Sequence, residues 1–188
     1  MDAQPRLGVD IGRVIIAGSD DPDGADTAFF GTDESAMLAT PAVDGVFDVL
    51  PRLVERFAGR VWLVSKCGER IQRRTERWLD HHRFFERTGI PPDHLRFTLR
   101  RADKAVHARE LGLTHFVDDR LDVLEALRDV VPRLYLFGPQ PQPAPDWVEH
   151  TPDWPAVGAA IALDRDPNEG NSRHSRTASR AVNSDTDR

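Results

Sequence analysis

Leu7-Gly8-Val9-Asp10 is a short apolar run closed by a carboxylate, and the rest of the chain repeats that pattern. Val61–Val64 runs into Ser65, His115–Val117 runs into Asp118 and Asp119, and Leu134–Phe137 ends at Gly138-Pro139. Leu95–Leu99 is a weaker strand, broken by Arg96 and Thr98. Parallel strands covered on both faces read as short continuous apolar runs of this kind. Between them the apolar residues take a helical period: Val46, Leu50, Leu53, Val54 and Phe57; Ile71, Thr75, Trp78, Leu79 and His82; Leu121, Leu124, Leu127, Val130 and Val131. Pro51 falls inside the first pattern, so that helix starts near Leu50 or bends there. Trp154 to Leu163 reads as a short closing helix. Strands alternating with helices predict an α/β fold, a three-layer Rossmann-like sandwich around a parallel sheet of about five strands.

Composition narrows what such a domain does. The chain has 188 residues and a net charge of −6, which argues against a nucleic-acid duplex as partner. No apolar stretch approaches the ~20 residues of a membrane helix, and the start, MDAQPRLGVD, lacks the layout of a signal peptide. The single cysteine, Cys67, excludes an internal disulfide framework and fits a reducing, cytoplasmic setting. Residues 1–163 are expected to form one domain. Asp164–Arg188 holds only three apolar residues, Ala178, Ala181 and Val182, too few to offset ordering entropy, and is expected to be a disordered tail. The Pro-rich stretch 139–155 is expected to be a packed surface connection.

Asp10, Ser65, Asp118 and Asp119 all stand where apolar runs end. In open α/β sheets, ligands bind outside the carboxyl ends of the strands. Three carboxylates gathered there repel unless a cation compensates, and hard oxygen ligands favour Mg²⁺. Taken singly, each of these residues could instead cap the turn that follows it. Lys104 supplies a charge of the right sign. Only two of the 25 basic residues are lysines, Lys66 and Lys104. With Asp103 as N-cap, Lys104 falls in the first turn of a helix, against the dipole, and so calls for a negative partner such as phosphate or Asp10.

These residues, in this order, resemble the four motifs of the haloacid dehalogenase superfamily. Asp10-Ile11-Gly12-Arg13-Val14 is similar to its Asp-x-Asp-x-Thr/Val motif. Ser65 stands for its Ser/Thr after the second strand, Lys104 for its Lys/Arg near a helix start, and Asp118-Asp119, with Asp122 beyond, for its acidic motif. The resemblance spans about residues 6 to 163. It implies that Asp10 is a nucleophile forming an aspartyl-phosphate, that Ser65 holds a phosphate oxygen, and that Lys104 neutralises the phosphate and orients Asp10. It implies that Asp10, Asp118, Asp119 and the Gly12 carbonyl hold Mg²⁺. The expected function is that of a Mg²⁺-dependent, phosphatase-type hydrolase acting on a phosphorylated small molecule or nucleotide.

Gly12 departs from the pattern, because the family's phosphatases carry there the Asp that protonates the leaving group. Losing a general acid costs about 10²–10⁴ in rate. The alternative is therefore a catalytically weak or inactive member that binds Mg²⁺ and a phosphorylated ligand in a regulatory or scaffolding role. Asp33 and Glu34 are candidate replacement acids, less favoured than no replacement at all; His81 and His82 end a helix and are expected to point away. Residues 17–40, with Phe29-Phe30 at their middle, are too few for a large cap domain and are expected to form a β-hairpin flap. An open site of that kind is compatible with homo-oligomer formation. A rival motif, Cys67 with Arg73, has the Cys-x₅-Arg spacing of cysteine-dependent phosphatases. Glu69 between them would repel phosphate, and a reduced, partly buried Cys67 is the better reading.

Overall fold

A computed structural model describes residues 4–18 and 33–163. Its strands are β1 (Leu7–Val9), β2 (Val61–Lys66), β3 (Leu95–Thr98), β4 (His115–Asp118), β5 (Arg133–Phe137) and β6 (Glu149–Thr151). They form one parallel sheet in the order β3-β2-β1-β4-β5-β6. The helices are α1 (Glu34–Ala39), α2 (Val46–Arg56), α3 (Glu69–His81), α4 (Phe84–Thr88), α5 (Lys104–Leu111), α6 (Leu121–Leu127) and α7 (Trp154–Leu163). The chain is thus a Rossmann-like α/β sandwich. The strand order reverses between β1 and β4, which makes the crevice above their carboxyl ends the topological switch point.

The pleat distributes side chains to two cores. Leu7, Val9, Val61, Leu63, Val117, Tyr135 and Phe137 face one layer, where they meet Leu50, Leu53, Trp78, Phe84 and Trp154. The alternate residues Trp62, Val64, Phe116, Leu134 and Leu136 face the other, against Ala108 of α5 and Val123, Leu124 and Leu127 of α6. Two cores across one sheet are the three layers expected.

The sheet has six strands rather than about five. β6 lies in the Pro-rich stretch expected to be only a connection. Of its three residues only Thr151 is buried, so no apolar run announces it. The first long helix begins at Val46, not Leu50. Gly45 adopts a left-handed φ of 82° that turns the chain into α2, and Pro51 is carried inside the helix. Asp103 does not cap α5. Its own backbone is helical, it makes no side-chain cap bond, and a 3₁₀ turn, Arg101–Asp103, runs directly into the helix.

The insertion after β1 is closed at its base. Ile16 pairs antiparallel with Ala42. The Ala17 amide donates to the Pro41 carbonyl at 3.0 Å and the Val43 amide to that of Ile15 at 2.8 Å. Residues 34–39 are helical, not part of a hairpin, with the Asp33 carboxylate capping α1 through the Ala36 amide. The rest of the expected flap, 19–32 with Phe29-Phe30, lies outside the described residues, as does the expected tail, Asp164–Arg188.

Candidate functional site

Asp10 follows β1, and its amide donates to the Val117 carbonyl of β4 at 2.9 Å, which places it on the switch point itself. Asp118 is the last residue of β4 and Asp119 the next. Lys104 opens α5, and its side chain turns back under the strand ends. Its Nζ donates to Asp10 Oδ1 at 2.6 Å and to Asp118 Oδ2 at 2.7 Å. Lys104 is 2% and Asp118 0% exposed, so this bridge is shielded from water. The other Asp118 oxygen accepts the Arg120 amide at 3.0 Å. Asp118 therefore does cap the turn into α6, with one oxygen only, and gives the second to the lysine.

Each acid of the cluster contributes an oxygen within 4.8 Å of those from the other two. Burial works against the Lys104 ammonium, but the carboxylates of Asp10 and Asp118 outweigh it and hold its pKa above the ordinary lysine value. Buried Asp118 and half-buried Asp119 are pushed the other way. Desolvation, and then mutual repulsion with Asp10, raises both carboxyls above the usual Asp range, Lys104 and Arg13 notwithstanding. The donor chemistry fits a hard divalent cation: three carboxylates, plus a Gly12 carbonyl that accepts no backbone hydrogen bond among the described residues.

Ser65, near the end of β2, is buried and lines the same cleft, as does Gly12. The structure thus brings Asp10, Gly12, Ser65, Lys104, Asp118 and Asp119 to one cleft. Asp33 and Glu34 do not reach it. Asp33 caps α1, and Glu34 is paired with Arg77 of α3. His82 stacks on Trp78 and meets the Leu38 carbonyl at 2.9 Å, with His81 against it.

The Cys-x₅-Arg alternative finds no support in the geometry. Helix α3 starts at Glu69, and the amides of Ile71 and Gln72 are spent on the Gly68 carbonyl instead of cradling an anion. Arg73 is exposed. Burial and the Asp10 charge push the Cys67 thiol up to about 11, so at neutral pH it is a thiol and not a nucleophile.

Four cations of the cleft were not assigned from sequence: Arg13, Lys66, Arg101 and Arg120. Arg13 takes a left-handed φ of 60°, a conformation that costs an ordinary residue roughly 1–2 kcal/mol, and places Nη1 3.6 Å from Asp119 Oδ2. Its position next to Gly12 was a readable signal, and so was the rarity of lysine, since both lysines of the chain line the cleft. Nothing distinguishes Arg101 and Arg120 in sequence from the many other arginines. Compared with models of known protein families and with curated proteins, the chain matches none.

Proposed function

We propose that this chain is a Mg²⁺-dependent hydrolase of the haloacid dehalogenase type, acting on a phosphorylated small molecule or nucleotide through Asp10. The observation that carries the reading is the buried Lys104 bridge between Asp10 and Asp118 at the switch point. A strand-end acid kept only as a cap needs no buried lysine. The Rossmann-type strand order alone would also suit a dinucleotide, but the turn after β1 is Asp10-Ile11-Gly12-Arg13, without the glycine-rich fingerprint and with a carboxylate that repels pyrophosphate.

The residues divide the work as follows. Lys104 fixes one oxygen of Asp10, leaving the other to attack phosphorus. The Asp10–phosphorus bond forms as the ester P–O bond breaks. Water then cleaves the aspartyl-phosphate, releasing phosphate and restoring Asp10. Ser65 donates its hydroxyl to a phosphate oxygen. Asp10, Asp118, Asp119 and the Gly12 carbonyl would hold Mg²⁺, which supplies charge screening between the anionic nucleophile and the anionic ester. The leaving alkoxide takes its proton from solvent, because Gly12 has none to give and neither Asp33 nor Glu34 reaches the cleft.

That missing proton favours a second reading, in which the protein binds Mg²⁺ and a phosphorylated ligand without turning it over. A screen of phosphorylated metabolites with Mg²⁺, run beside Asp10→Asn, separates the two. Turnover lost in Asp10→Asn supports the hydrolase. Turnover that survives it sinks the aspartyl-phosphate mechanism. Mg²⁺-dependent ligand binding with no turnover supports the second reading.

A further inference from the structure

The two lysines of the chain both line the cleft, in opposite electrostatic situations. Lys104 is committed. Its Nζ lies 2.6 Å from Asp10 and 2.7 Å from Asp118, one ammonium shared by two carboxylates, so no positive charge is left over there for an incoming phosphate. Lys66 is uncommitted. It stands beside Ser65 and is half-buried. It forms neither a hydrogen bond nor an ion pair among the described residues, although three carboxylates line the same cleft.

The backbone that carries Lys66 is pinned. Lys66 is the last residue of β2 and pairs with Thr98 of β3. The Cys67 amide donates to the Thr98 carbonyl at 3.0 Å, and the Cys67 carbonyl accepts from Gln72 Nε2 at 3.0 Å. The side chain therefore leaves a fixed strand end. Its charge is felt inside the cleft: burial and then Asp10 push the Cys67 thiol up, and Lys66 and Lys104 oppose them. An ammonium that gives up water without gaining a partner is a cost to the free protein. A neutral side chain would end β2 without that cost, so stability does not account for the residue. An anion does. The ammonium is a compact point charge with three donors, and next to the Ser65 hydroxyl it suits a phosphate oxygen.

We infer that Lys66 neutralises the phosphoryl group of the bound substrate, gripping it together with Ser65, while Lys104 is reserved for holding Asp10. This rests on the reading of the cleft as a phosphate site. The two tasks expected of Lys104 are then divided between the two lysines.

The test is calorimetric titration of the full chain with inorganic phosphate in excess Mg²⁺ at physiological salt. Lys66→Met is expected to weaken phosphate binding at least about tenfold, the effect of roughly one lost charge-assisted contact. Its Mg²⁺ affinity should match the parent's, and its melting temperature should stay within about 2 °C, since no partner is lost in the free protein. Lys66→Gln, which keeps a polar end on the stem, should show the same loss of phosphate binding. Lys66→Arg should retain binding within about threefold, because the charge remains. Arg73→Gln removes an equal charge from the exposed surface of α3, outside the cleft lining. At physiological salt that charge is screened, and phosphate binding should change less than about twofold. If Lys66→Met or Lys66→Gln binds phosphate as tightly as the parent, the assignment is overturned while the phosphate site stands. Equal losses in Lys66→Gln and Arg73→Gln overturn it as well, because the effect is then a long-range field and not a contact. If the parent binds Mg²⁺ but no phosphate, the phosphate site and the assignment fall together.

Discussion

Lys104 is held between two carboxylates, and the energy of that arrangement depends on all three groups. Remove the ammonium and Asp10 and Asp118 lose the cation that lies between them. Breaking a buried pair from one side costs about 3–5 kcal/mol, so Lys104→Met is expected to lower stability by that order in EDTA. Saturating Mg²⁺ should restore part of the loss by supplying charge to the same carboxylates. Urea denaturation with and without Mg²⁺ checks both halves, and an unchanged midpoint in EDTA would mean the bridge is not holding the strand ends together. Gly12 offers the complementary test. It is not among the residues with a left-handed backbone, so an Asp side chain there meets no strain of that kind. Gly12→Asp is expected to raise turnover of a poor-leaving-group phosphate ester by up to about 10²–10⁴, the range a positioned general acid contributes. A good leaving group such as p-nitrophenolate needs less protonation and should gain less. If the variant folds, binds Mg²⁺ and gains nothing on any ester, the absent acid is not what limits the protein, and the hydrolase reading gives way to the binding one.

Element by element, the sheet is built around β1, the shortest strand that has neighbours on both sides. β1 has a side chain on only one face. At Gly8 an added Cβ would stand 2.5 Å from Phe116 Cδ2 and 2.7 Å from Leu113 Cδ1, both in the core beneath α5 and α6. Gly8→Ala therefore overpacks that layer, and a loss of about 1–3 kcal/mol is expected. Pairing it with Phe116→Leu should recover part of the loss in a double-mutant cycle; strictly additive losses would show that the two positions do not compete for space. The same strand shows what was legible beforehand. Leu7-Gly8-Val9 could be read because a doubly covered strand must be apolar along its length, and the same logic found β2, β4 and β5. It missed β6, whose Glu149 and His150 are exposed at the sheet edge. It missed α1, where only Met37 is buried in six residues. It left the start of α2 open between Val46 and Leu50, and the helix runs from Val46 with Pro51 inside it. The site was legible for a related reason. Asp10, Ser65, Lys104, Asp118 and Asp119 each stand at a strand or helix end, and parallel strands put their carboxyl ends on one side. Arg13 stands beside Gly12 and could have been read, but Arg101 and Arg120 reach the cleft through three-dimensional convergence in an arginine-rich chain, and local sequence carries no record of that.

For the molecule as a whole, an acidic chain of net charge −6 holds at its switch point a cleft lined, among the described residues, by five cationic side chains and three acids. The acids at the bottom of that cleft couple folding to pH and, on the proposed reading, to metal. In the unfolded chain Asp118 and Asp119 titrate near the ordinary value of about 3.9. In the fold, desolvation and mutual repulsion move the pair upward, to about 8 for Asp119. Between those limits the native state binds more protons than the unfolded one, so stability must fall as pH rises through the window. The contribution is complete below about pH 4 and is lost as pH rises through the folded value. Lys104 does not add to this slope, because its pKa is raised from a value already above the window. Mg²⁺ held as proposed would reverse the trend. Mg²⁺ requires ionised carboxylates, so its stabilising effect should grow with pH. Melting temperatures in EDTA are expected to decline from pH 5.5 to 8.5, and excess Mg²⁺ should flatten that decline. Asp119→Asn removes a titrating group and a charge, so its slope in EDTA should be shallower and its response to Mg²⁺ smaller. A difference in slope of at least about 4 °C across the range, the equivalent of roughly 1 kcal/mol for a domain of this size, is the expected outcome. Parallel slopes for the parent and Asp119→Asn would mean that the proton is bound somewhere else. Parallel responses to Mg²⁺ would mean that the metal is as well, and the carboxylate cluster would then be only the structural end of β4.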